Sequence, residues 1–423
     1  MKYFNRIFLL LVLMWGAVGL ERMVAVFVLP GIQKDFSLNY AQSGAIIAVF
    51  AFGWAIGTWA MGSLSDYVGR KVVIVVLVIF GGLCSWVTGL ATGLAMMLVI
   101  RAIMGFAEGG IWGPVSATIA EESSPMTRAR NVGMLPALFT LCGAAIGPIL
   151  STQLMAHYGW RSVFYIYAIP GVVLGLLIWL VMKEPASTQA ILAARRSGGQ
   201  RQQRRDAQGQ EIGYWDVFKY RNIILMMVTW IFNMAFLWLF TTFGMIYMEK
   251  IHHLPLTTAG LAMSGFGFGA FLGCPVFGFI SDHIGRKKAI VLCQLVGGVI
   301  GIGFVLLSPG VGLPVLFAFV MATAFCAAGM SPILLSISAE TVGFAMAATA
   351  IGAITGVGEL IGGGILPVVG GGIADAIGLS AALYLATACL IAGAVCGLFV
   401  QETAPRIVSK IEAEATLVTR GQE

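Results

Sequence analysis

Apolar runs of about twenty residues follow one another along almost the whole chain, separated by short polar knots. Each run is long enough to cross a hydrocarbon core of about 30 Å as a helix. Twelve can be marked, at 7–30, 43–61, 72–94, 96–120, 133–156, 162–182, 222–247, 258–280, 289–307, 314–336, 349–373 and 380–400. The longest polar interval, Lys183 to Arg221, divides them six and six. It contains RRSGGQRQQRRDAQGQ, too polar to bury a core, which predicts a flexible linker. The expected fold class is an all-α polytopic membrane protein of twelve transmembrane helices. Its expected parts are an N-terminal six-helix bundle at 1–182, a linker at 183–221, a C-terminal six-helix bundle at 222–400 and a tail at 401–423.

Composition agrees: 59% of residues are hydrophobic and 10% charged, where a soluble domain carries about 25% charged residues. With both termini in the cytoplasm, 20 of the 25 Lys and Arg fall on the inner side, as the positive-inside rule requires. The net charge of +6 is then a topology signal, and the arginine-rich linker needs no nucleic-acid partner. The first run carries charge near its middle and no small-x-small site follows it, so it is expected to stay as a span and not be cleaved as a signal.

Glycine is abundant, at 55 residues. GFGFGAFLG (Gly265 to Gly273) lies inside an apolar run with no strand before it, so it predicts close helix packing, not a phosphate loop. The seven cysteines sit in apolar segments without a CxxC or a Cys/His cluster, and the pair His252–His253 is expected in a loop. Neither a metal nor a cofactor is expected. No HExxH, nucleophile elbow or phosphate loop points to an enzyme.

A repeat links the two sets of spans. GSLSDYVGRKVV (Gly62 to Val73) returns as GFISDHIGRKKA (Gly278 to Ala289), an offset of 216 positions from Asp66 to Asp282. That is about half the chain, so the halves are parallel repeats of like topology. In each, the Gly-Arg-Lys turn joins the second and third spans at the cytoplasmic face. Gly69 and Gly285 permit the tight turn, while Asp66, Arg70, Asp282 and Arg286 can pair or cap helix ends. They are expected to act as latches on the outward-open state, with Glu121 and Glu340 as partners.

Charges inside spans are costly, about 2.5–3.5 kcal/mol each at mid-bilayer on insertion scales, and should face a cavity or one another. WGAVGLERMVAVFVLP (Trp15 to Pro30) places Glu21 and Arg22 side by side in the first span. Arg22 is always protonated, so its burial is offset by an anionic ligand or by a standing pair with Glu21 or Glu108. Glu108, mid-span, is a candidate proton carrier or a static helix–helix hydrogen bond; Glu21, about 100° round the helix from Arg22, is a second proton site or an orienting neighbour. Arg101, two turns from Glu108, reads as structural. Glu359, in GVGELIGGG, and Asn233, among aromatic residues, are the ligand-facing candidates of the second half.

The paired G-x-x-S-D-x-x-G-R-K loops, six-plus-six spans and basic linker resemble the major facilitator superfamily, as do RAIMGFAEGG (Arg101 to Gly110) and GWRSVF (Gly159 to Phe164). Glu21-Arg22, Pro30 and DFSLNYAQSG (Asp35 to Gly44), with Glu108 seven residues after Arg101, resemble its anion:cation symporter family, which includes sialin, the vesicular glutamate transporters and bacterial sugar-acid symporters. That resemblance implies proton-coupled symport of a small organic anion by a monomer in the bacterial inner membrane. Arg22 would meet the substrate carboxylate and the acids would carry protons. The chain departs from the family at span seven, where TWIFNMAFLWLF has no basic residue, and at Glu359, which has no family counterpart. GAAIGP (Gly143 to Pro148) resembles an element of drug/proton antiporters. A proton-driven exporter and a non-transporting sensor are therefore the rival readings, and an intramembrane arginine favours anions over cations.

Overall fold

The computed structural model describes residues 2–124, 127–185, 188, 189, 193, 214–342 and 344–409. Most of the linker expected at 183–221 and of the tail at 401–423 lies outside the described residues, as does the side chain of Asp66. Twelve helices are long and apolar enough to cross a membrane, and the described residues contain no strand. In chain order spans one to six are Phe4–Phe27, Tyr40–Met61, Arg70–Thr88, Leu94–Glu122, Arg130–Tyr158 and Trp160–Val181. Spans seven to twelve are Arg221–Lys250, Leu256–Ile284, Arg286–Val305, Leu313–Val342, Thr349–Ile377 and Leu379–Gly397. Each coincides with an expected apolar run. Span one ends sooner than its run suggested: Val28 leaves the helix, and a short second helix, Leu29–Phe36, starts with Pro30 in its first turn. Proline fits there because the first N–H groups of a helix have no partner to lose.

The outer surface is apolar, as lipid demands: Trp59, Leu180 and Ile377 all stand well exposed. Inside, backbones touch where glycine allows it. A Cβ built on Gly269 or Gly273 would collide with the carbonyl oxygens of Met321 and Phe325, so the glycine run of span eight seats span ten. Gly105 and Gly109 of span four likewise meet the carbonyls of Phe50 and Trp54 in span two. Where lipid supplies no hydrophobic drive, such close approach is what holds helices together.

Spans five and eleven share a second feature. Each contains a π-helical stretch, Leu141–Ile146 and Glu359–Ile365, followed by a proline at 148 or 367. Proline donates no N–H and its ring crowds the preceding turn, so the hydrogen-bond ladder widens just before it. The element read in the sequence as GAAIGP is thus half of a structural pair.

The two sets of six spans meet closely at one end. At the end opposite the Gly-Arg-Lys turns, a Cβ on Gly44 would strike the Pro367 carbonyl, and one on Gly371 the Tyr40 carbonyl. Gly260 and Gly267 of span eight pack as tightly on Thr152 and Ala145 of span five. Asp375 accepts the backbone N–H groups of Tyr40 and Ala41, each at 2.9 Å, and Lys250 donates to Gln33 Oε1 at 3.2 Å. At the basic end, a Cβ on Gly133, Gly352 or Gly356 would meet nothing within 4 Å.

Candidate functional site

Arg22 stands at the seam between the two sets of spans. Its Nη2 lies 2.8 Å from Glu359 Oε1, an ion pair joining span one to span eleven. The other carboxylate oxygen, Glu359 Oε2, accepts the indole N–H of Trp238 in span seven at 3.2 Å. The guanidinium lies over the Trp54 ring, 3.9 Å from its centroid, with Trp238 at 4.9 Å on another side. Such stacking is worth about 2 kcal/mol or more when desolvated. A charge that lipid would reject is thus carried by one carboxylate and two indoles.

That partner differs from the two carboxylates, Glu21 and Glu108, that the sequence offered for a standing pair as the alternative to an anionic ligand. Neither of these carboxylates bonds Arg22. Glu21 points the other way, toward span six, where a Cβ on Gly171 would meet its Oε1. Glu108 points to span three, with its Cγ 3.5 Å from a Cβ built on Gly81. Both are sealed from solvent at 2% and 1% exposure, and among the described residues Glu21 Oε1 and both Glu108 oxygens have no hydrogen-bond partner. The charges of Glu108 and Arg101 both reach Glu21, and those of Arg101 and Arg22 reach Glu108. Two carboxylates and two guanidiniums therefore share one field, although only Arg22 reaches the seam.

Arg101 ties the field to the backbone. It donates to the Arg22 carbonyl at 3.2 Å and stacks on Phe50, its Cζ 4.3 Å from the ring centroid. Asn233 is buried, and its Oδ1 has no hydrogen-bond partner among the described residues. It is five residues from Trp238, about 140° round the helix. Span seven thus offers Trp238, not Asn233, to the ion pair.

At the basic end, Arg70 pairs with Glu121 at 2.7 Å, and Arg286 with Glu340 at 2.8 Å and with Asp282 at 2.5 Å. Among the described residues each of these ion pairs joins groups of one six-span set. Gly69 and Gly285 have φ of 111° and 99°, which a side chain would strain. Two acids that the sequence reading passed over complete the turns. Glu184 accepts the N–H groups of Arg70 and Lys71 at 2.6 and 3.1 Å, and Glu402 those of Arg286 and Lys287 at 2.8 and 3.2 Å. KEPA after span six and QETA after span twelve carried a signal for them, at nearly the spacing of the loop repeat.

The sequence profile described as Major Facilitator Superfamily matches residues 10–362 and 225–421. The chain belongs to the major facilitator superfamily. It is a multi-pass membrane protein of a family of transporters, not enzymes. A probable 4-methylmuconolactone transporter of Cupriavidus pinatubonensis is 25% identical over 89% of this chain and 85% of its own length. The gallate transporter of Pseudomonas putida is 27% identical over 82% of each chain. A bacterial homologue of the human lysosomal transporter Spinster, solved inward-facing and unoccupied, superposes with a TM-score of 0.74 at 19% identity, covering 94% of this chain and 95% of its own. That likeness carries the superfamily fold.

Proposed function

We propose that this protein is a proton-coupled symporter of a small organic anion, working by alternating access in a bacterial inner membrane with both termini cytoplasmic. The observation that supports it most is Arg22: a guanidinium at the seam, held by a single side-chain carboxylate, and flanked by indole faces. A buried pair of this kind can often be replaced by apolar packing without loss of stability, so its presence in a membrane core fits a functional charge. An anion is the ligand such a site selects, and it disfavours the cationic drugs of an exporter. The names of the relatives agree, since one is a gallate transporter and another a probable 4-methylmuconolactone transporter.

On this reading the conformation described is open to the cytoplasm: the seam is closed at the end opposite the basic turns. Substrate would meet Arg22 between Trp54 and Trp238, while Glu21 and Glu108, sealed behind it, carry the driving protons. The twelve spans act as one monomer with two moving bundles, 1–182 and 222–400, joined by the linker.

Uptake of labelled gallate or benzoate into proteoliposomes under an inward proton gradient tests the reading. Accumulation that an uncoupler collapses, and that Arg22→Ala abolishes, is the expected result. Arg22→Lys should rescue poorly, because the planar two-pronged geometry toward a carboxylate is lost. Gradient-driven expulsion of a cationic dye, with no anion uptake, would instead establish the exporter.

A further inference from the structure

Glu359 occupies the place at Arg22 that a ligand carboxylate would need. One of its oxygens takes the Arg22 Nη2 and the other takes the Trp238 indole N–H, so each oxygen of the carboxylate is engaged by a donor at the seam. The side chain is 13% exposed, against 6% for its arginine, so the carboxylate is the less buried member of the pair. It rises from the first residue of the π-helical stretch Glu359–Ile365, which contains three consecutive glycines, Gly362 to Gly364. A Cβ on Gly363 would lie 2.8 Å from Trp238 Nε1 and 2.9 Å from Glu359 Oε2. A side chain at that position would press on both atoms of the carboxylate–indole contact.

We propose that Glu359 is a built-in surrogate for the substrate, which the incoming carboxylate displaces from Arg22 and Trp238, and which takes up a proton as it leaves. The proposal rests on the anion-transport reading and extends it. The charge count is simple. At rest the seam holds one guanidinium and one carboxylate and is neutral. With a substrate carboxylate on Arg22 and Glu359 displaced but ionised, the seam would carry a net negative charge in a water-poor cavity. One proton on Glu359 restores neutrality, and no other cation at the seam is required. Arg101 cannot supply the balance, because it is turned to the Arg22 carbonyl and to Phe50 behind the pair. The surrogate also explains how an empty carrier can cross back: Arg22 keeps a counter-charge without substrate.

The two roles open to Glu359 predict opposite results. A group that contacts the substrate weakens binding when neutralised. A surrogate strengthens it, because its competitor is gone. Calorimetric titration of the purified full chain in nanodiscs with benzoate, gallate and cis,cis-muconate, between pH 5.5 and 8, reads the difference. In the wild-type protein, affinity should rise as pH falls, by up to tenfold per pH unit for one linked proton. Glu359→Gln should bind at least tenfold more tightly at pH 7.5, with the slope reduced by one proton. Glu359→Asp, which keeps the charge but is too short to reach both donors, should also bind more tightly while keeping the slope; it carries the test if the glutamine variant does not fold. Equal or weaker binding by a folded variant overturns the surrogate role. Absence of binding to every probe by wild type and both variants overturns the anion-site reading, and this proposal with it.

Discussion

The Asp375 carboxylate, near the end of span eleven, sits on the N-terminus of span two and takes the backbone N–H of Tyr40 at 2.9 Å. Its second oxygen takes the Ala41 N–H at the same distance. Both donors are among the first amides of a helix, which have no partner within it and lie at the positive end of its dipole. The carboxylate therefore fastens the second half to the first through backbone atoms, just beside the backbone contact of Gly371 with the Tyr40 carbonyl. In the proposed alternating-access cycle the contact would break as that end opens, so its energy would bear directly on the ratio of the two states.

Asp375→Asn should accordingly favour opening of the end opposite the basic turns. A charge at a helix N-terminus is worth about 0.3–1 kcal/mol at exposed sites, which corresponds to a population shift of about two- to fivefold. Spin labels on cysteines placed at Ser37 and His253, two exposed positions at that end, in a background free of native cysteine, would report it. A longer-distance population in the variant is expected. An unchanged distribution would remove the latch role.

Glu184 and Glu402 bear on stability instead. Each serves as cap for the helix that follows a Gly-Arg-Lys turn, receiving two amides from span three or span nine. Loss of such a cap costs about 0.5–2 kcal/mol. Glu184→Ala and Glu402→Ala should each lower the melting temperature in detergent by a few degrees, while anion affinity at the distant seam stays as it was. A fall in affinity without a fall in stability would contradict this assignment.

Most of the fold was legible because a bilayer leaves the backbone few options. Twelve apolar runs could only be twelve helices, and the loop repeat fixed their six-and-six order. The pairing of Arg22 was not legible. Helical periodicity places Glu21 and Arg22 on different faces but does not say which of several facing spans comes near each. Glu359, the carboxylate paired with Arg22, lies 337 residues away and is brought in by the packing of span eleven across the seam. Its position also depends on the π-helical turn before Pro367, which shifts side chains relative to a regular helix, so a count of 100° per residue fails there. Asn233 illustrates the same limit: it shares span seven with Trp238, yet the helix turns it away from the pair.

Asp35, in the short helix after span one, supplies a pH prediction. The hydrogen bond from Arg161 holds its carboxyl below the ordinary aspartate value of about 3.9. A folded-state value below the unfolded one means stability that is present above about pH 4 and lost as pH falls through the folded value. The pair is well exposed, so the effect is small. Asp35→Asn should melt slightly earlier than wild type at pH 7, and the gap should close progressively in acid below pH 4. A gap that persists or grows under those conditions would assign the loss to something other than the ion pair.

Glu108 is where the coupling reading can fail most clearly. Its carboxylate has no hydrogen-bond partner among the described residues, is 1% exposed, and lies within the fields of Arg101 and Arg22. A buried carboxyl without hydrogen bonds gains little as a static strut, whereas a proton arriving or leaving there changes the charge felt across span one. Glu108→Gln removes the titratable group and keeps the volume. The variant is expected to bind anion and to catalyse counterflow exchange, since exchange needs no return of an empty, deprotonated carrier. It is expected to lose at least tenfold of its gradient-driven accumulation. Both assays on one proteoliposome preparation separate coupling from folding, because a misfolded protein fails both. Accumulation at the wild-type level by a variant that also exchanges normally would show that the proton travels elsewhere, leaving Glu21, turned toward Gly171, and Glu359 at the seam as the groups to neutralise next.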